Sequence, residues 1–118
     1  MIKQIIAIVF LANVASAIDF NKQNLSGGEI SEISSAIYRI EGGSKTIYPY
    51  GVRSINTGGD KSKAKQICEK TIVNNFRRWQ NSNKSIDFLT FLANRYCPPS
   101  ADKKGNSNWI KNIHSLVK

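Results

Sequence analysis

Glu29 to Gly51 reads EISEISSAIYRIEGGSKTIYPYG, and this stretch decides the fold. Ile30, Ile33, Ile37 and Ile40 recur at the spacing of one face of an α-helix. The stripe predicts a helix from Glu29 or Ser31 to Ile40, with Glu29 and Glu32 in the first turns, where the helix dipole favours acids. Gly42 and Gly43 are suited to a left-handed C-terminal cap. At the helical repeat, Glu41 falls on nearly the same face as Ile30 and Ile37. A carboxylate that continues a buried stripe is partly desolvated, which raises its pKa, and the negative end of the dipole acts in the same direction. Such a group is equipped for general-acid chemistry. Position alone also fits a surface glutamate near a helix end.

Downstream of the glycines the helical period stops. Ser44 to Gly59 mixes β-formers and tyrosines with Pro49, Gly51, Gly58 and Gly59, which predicts short strands or a wide loop lying across a helical core. A second helix is expected from an N-cap at Asp60 or Ser62 to Trp79 or Gln80, with Ala64, Ile67, Cys68, Ile72, Phe76 and Trp79 inward. A third opens at Ser85 or Ile86 and ends at Cys97-Pro98-Pro99. A last helix starts at Ser107 or Asn108, with Trp109, Ile110, Ile113, Leu116 and Val117 inward. Upstream, Ile18 to Gly28 reads as an irregular lead-in. The fold class is mainly α: one helical domain with a small irregular or β-like insert after the first helix.

Residues 1–17 form an expected export leader. Lys3 supplies the positive start, Ile5 to Val14 the apolar run, and Ala15-Ser16-Ala17 the small-residue cleavage pattern. Residues 18–118 then make one domain with one core, taken to act as a monomer in the periplasm or cell envelope. The chain carries a formal net charge of +9. In an exported protein that charge directs attention to membrane surfaces and cell-wall glycan, and away from nucleic acid, for which no glycine–aromatic motif is present. Cys68 and Cys97, an even count in an exported chain, are expected to pair in a disulfide worth roughly 3–4 kcal/mol in the chain-entropy model. A single histidine, His114, argues against both a zinc site and a Ser/His/Asp triad. No cofactor is expected.

Four segments in order carry a resemblance: Ala36-Ile37-Tyr38-Arg39-Ile40-Glu41-Gly42-Gly43, Tyr48-Pro49-Tyr50-Gly51-Val52, Ala93-Asn94-Arg95-Tyr96 and Asn108-Trp109-Ile110-Lys111-Asn112-Ile113. From about Ile30 to Val117 the chain resembles the lysozyme-like superfamily, in particular small exported lytic transglycosylases and relatives of goose-type lysozymes. The resemblance implies a lysozyme-like domain in which Glu41 is the single catalytic acid acting on peptidoglycan. Gly51 belongs to the loop that lines the cleft, with Arg53 or Ser54 where that family has a glutamine. Tyr96 matches a late-helix tyrosine that faces the glutamate, although Cys97-Pro98 follows it here. The implied reaction cleaves the bond between N-acetylmuramic acid and N-acetylglucosamine and closes a 1,6-anhydro ring. A role in local wall opening for an envelope-spanning secretion or transfer apparatus follows only by analogy of fold.

Beside Glu41, the candidate substrate-binding residues are Tyr48, Tyr50, Gly51, Ser54, Thr57, Asn94 and Tyr96. Tyr48 and Tyr50 could stack on sugar faces or pack the insert on the core. Thr57 and Asn94 could hydrogen-bond an N-acetyl group. Trp79 and Trp109 are assigned to the core. Asp60 is read as a helix cap; if it is not, it is the second acid of a hydrolysing muramidase. A non-catalytic, cationic wall- or membrane-binding protein is the alternative from outside enzymology.

Overall fold

The computed structural model describes residues 17–53 and 60–117. Among these are four α-helices, α1 (Gly27–Ile40), α2 (Lys61–Gln80), α3 (Phe88–Tyr96) and α4 (Lys103–Leu116), and two 3-10 turns, Gly43–Lys45 and Pro49–Gly51. The protein is mainly α. No strand occurs among the described residues, so the irregular form of the insert is the one adopted there.

Every α-helix starts on a side-chain cap, and these caps correct several predicted boundaries. Ser26 caps α1, so the helix begins at Gly27, two residues before Glu29. Its hydroxyl accepts from the Glu29 amide while the Glu29 carboxylate accepts from the Ser26 amide, a complete capping box. The reciprocal bonds outweigh the helix-breaking tendency of Gly27 and Gly28. Asp60 caps α2 through the Lys63 amide, Asp87 caps α3 through Thr90, and Asp102 caps α4 through Gly105. α3 therefore begins one turn-residue after Asp87 rather than at Ser85 or Ile86. α4 begins well before Ser107, because a capping aspartate brings the polar residues Lys103 to Asn106 into the helix.

The helices bury one shared core. Ile33 and Ile37 of α1 meet Ala64, Cys68 and Ile72 of α2, Phe88 and Leu92 of α3, and Ile113 of α4, all fully buried. α1 packs on α2, on α4 and on the second 3-10 turn, while α3 packs on α2 and α4. Phe20 of the lead-in sits against Phe76 and Phe88, with ring centroids 6.4 and 5.3 Å away. The Gln80 side chain donates to the Lys22 and Gln23 carbonyls, which ties this segment to the end of α2. Among the described residues no helix is long and apolar enough to cross a membrane.

The expected disulfide is not formed: Cys68 and Cys97 are both free thiols. Cys68 lies on the buried face of α2, its Sγ 3.5 Å from the Tyr96 hydroxyl. Cys97 is the half-buried C-cap of α3, and its carbonyl accepts from Asn106 on α4. Even parity gave no information on where the two side chains point, and Cys68 is spent on packing against Tyr96.

Candidate active site

Glu41 ends α1. Its amide donates to the Ile37 carbonyl at 2.9 Å, so its backbone belongs to the last helical turn while its side chain leaves the helix. Gly42 (φ +113°) and Gly43 (φ +59°) then reverse the chain in left-handed conformations that favour glycine. The insert folds back until the second 3-10 turn lies on α1.

That turn is strained where it meets the glutamate. Tyr50, at φ +60° and ψ 15°, occupies the left-handed region at a cost of roughly 1–2 kcal/mol. Burial of its ring against Tyr38, centroids 4.9 Å apart, offsets that cost. Gly51 follows at φ +70°. Its α-carbon lies against the Glu41 carboxyl group so closely that a Cβ there would collide with Oε1. Gly51 therefore provides both the turn and the room for the acid.

The opposite wall comes from the far end of the chain. The Trp109 indole N–H donates to Glu41 Oε2 at 2.9 Å. Trp109 is buried and stacks on Tyr96, centroids 5.2 Å apart and planes 14° from parallel. The Tyr96 hydroxyl reaches Cys68. Glu41, Trp109, Tyr96 and Cys68 thus form a row joining α1, α4, α3 and α2. Among the described residues Glu41 Oε1 has no hydrogen-bond partner.

Burial is the main cause that raises the pKa values of the phenol and thiol in this row and of the nearby Cys97 thiol. It pushes the Cys68 thiol up to about 11, outweighing the opposing hydrogen bond from the Tyr96 hydroxyl, while Glu69 and Glu41 add less. Tyr96 is raised by burial, by Cys68 and by Glu41. Cys97 is raised by burial, then by Asp102 and Glu41. Near neutral pH the phenol and both thiols are therefore uncharged.

Beside it opens a cavity of about 300 Å³ lined by Tyr50, Gly51, Val52, Arg53, Ile67, Thr71, Arg95 and Tyr96. Of the candidate residues, Tyr50, Gly51 and Tyr96 line this cavity. Tyr48 is exposed, with the Arg53 guanidinium 4.7 Å from its ring centroid. Asn94 stands aside, its Oδ1 accepting from the Asn106 amide. Ser54 and Thr57 lie outside the described residues. Asp60 is exposed and its carboxylate serves the α2 cap.

Trp109 is the residue that sequence reasoning left out of the site. Its place on an apolar face marked it as core, which it is. The available signal was that a buried indole N–H needs an acceptor. Trp79 finds one in the Ile86 carbonyl, and Trp109 finds it in Glu41.

No protein-family model, no curated protein and no solved structure matches this chain.

Proposed function

We propose that the protein is a lytic transglycosylase of peptidoglycan in which Glu41 alone supplies the acid and base. The carrying observation is the setting of that carboxyl group: one oxygen is held by Trp109, and the other lies against Gly51, which itself lines the neighbouring cavity. A side chain fixed at one oxygen keeps the other in place for proton transfer.

The reaction needs one carboxyl group. Glu41, protonated, delivers its proton to the oxygen between C1 of N-acetylmuramic acid and C4 of N-acetylglucosamine. The C1–O bond breaks, and the neighbouring N-acetyl carbonyl stabilises the positive charge at C1. The Glu41 carboxylate then takes the proton from the C6 hydroxyl as O6 bonds to C1. The 1,6-anhydro ring closes and the acid is regenerated. Glycosidases with two carboxyl groups place the second to activate water or attack C1. The use of Asp60 as a helix cap supports the single-acid route. Tyr96, kept neutral, lines the cavity with its hydroxyl against Cys68.

Mass spectrometry of the soluble products from purified peptidoglycan tests this reading. Wild type should release anhydromuropeptides, and folded Glu41→Gln should lose at least about a hundredfold in rate. Reducing-end products would replace the proposal with a hydrolysing muramidase. Failure of both proteins to release products, with binding to the wall retained, would leave a cationic wall-binding protein.

A further inference from the structure

Tyr50 separates the cavity beside Glu41 from a second, larger groove of about 640 Å³ between the end of α1 and the start of α2. Its lining includes Tyr38, Arg39, Lys61, Ser62 and Lys65. Arg39, Lys61 and Lys65 form no ion pair among the described residues. Lys61 is held over the Tyr38 ring, 4.4 Å from its centroid, which orders one ammonium group at the wall. The nearby Asp60 carboxylate is turned to the Lys63 amide. Arg53 and Arg95 line the first cavity, and among the described residues no carboxylate lines either one. Cations therefore continue from one side of Tyr50 to the other.

Resting on the transglycosylase reading, we propose that this groove is a subsite for the acidic peptide stem carried by the muramoyl sugar. The stem is the anionic branch of the polymer. A sugar seated beside Glu41 has the basic groove next to it, across one tyrosine. Arg39, Lys61 and Lys65 bind the stem carboxylates, and the Ser35 and Ser62 hydroxyls are placed for its amides. Glycan strands that bear stems are then held in preference to bare ones.

The test separates the groove from the chemistry. A free stem tetrapeptide with ionised carboxylates is titrated into isotope-labelled protein and followed by amide shifts, alongside the same peptide with its carboxylates amidated. Saturable shifts are expected at Ser35, Lys61, Ser62 and Lys65. Affinity should fall roughly three- to tenfold in the Lys61→Gln/Lys65→Gln double variant and in Arg39→Gln, and should weaken with salt. The amidated peptide should bind least. Equal binding of acid and amide, shifts elsewhere, or tighter binding of a short DNA strand would overturn the proposal. The double variant is also compared with wild type in cleavage of stem-bearing strands and of strands stripped of stems by an amidase. A loss confined to stem-bearing strands supports the subsite. Equal cleavage of both by wild type and variant removes the subsite and leaves the transglycosylase standing. Tetrapeptide binding in the groove without any strand cleavage by wild type does the reverse.

Discussion

A single hydrogen bond distinguishes Glu41 from an ordinary residue at a helix end. The Trp109 indole holds Oε2, and Gly51 leaves no side chain between the carboxyl group and its turn. Trp109→Phe keeps an aromatic ring against Tyr96 and removes only the donor. Hydrogen bonds to charged groups are among the stronger ones in proteins. Under the proposed reaction this variant should lower kcat by about ten- to a hundredfold with KM nearly unchanged, because a positioning contact is lost rather than a substrate contact. Steady-state kinetics on soluble glycan strands checks it, and a change confined to KM would count against the positioning role. Glu41 was legible in the sequence because a broken apolar stripe ends on it. Trp109 was not, because its ring and its N–H serve different purposes and periodicity reports only the ring.

Between elements, one titratable contact joins α3 to α4. His114 Nε2 lies 3.0 Å from Asp87 Oδ2, while Nδ1 lies 2.8 Å from the Ile110 carbonyl. Two acceptors facing one ring favour the doubly protonated form. Burial lowers the His114 pKa, but the Ile110 carbonyl and Asp87 outweigh it, and the net direction is up. Burial likewise raises Asp87, but the Thr90 amide and His114 bring it below the ordinary value of 3.8. The raised His114 contributes fully below its unfolded value of 6.5 and loses that contribution as pH rises through its folded pKa. The lowered Asp87 contributes above 3.8 and loses its contribution as pH falls through its own. The contact is therefore strongest between these two values. Both side chains are more than a third exposed, so solvent screening keeps the effect small. His114→Gln should lower Tm by on the order of 2 °C at pH 5.5 and by less at pH 9, in thermal scans followed by circular dichroism. A Tm difference that is larger at pH 9 would refute the assignment. The helices themselves were legible at this scale, since α1 to α4 all follow predicted apolar stripes. Their starts were less so. Ser26 and Asp102 capped earlier than the stripes suggested, because a cap is chosen by hydrogen bonding and a stripe by burial.

In the whole molecule, the core is closed by side-chain packing, with both cysteines reduced. Thiol titration of the denatured, unreduced protein should count two thiols per chain. In the native state Cys97 should react well before Cys68, which is fully buried and has its pKa pushed up to about 11. A count of zero would restore the disulfide and displace the Tyr96 contact. By itself the sequence determined the mainly α class, the order of the four helices, the loss of helical period after Glu41 and the inward faces, because each depends on local period and local stop signals. Only the tertiary structure decided that Trp109 reaches Glu41 across 68 residues, that Tyr96 covers Cys68, and that Gly51 seats the carboxyl group. Those contacts depend on how α1, α3 and α4 cross and on a left-handed turn at Tyr50, and no spacing within a single helix encodes them.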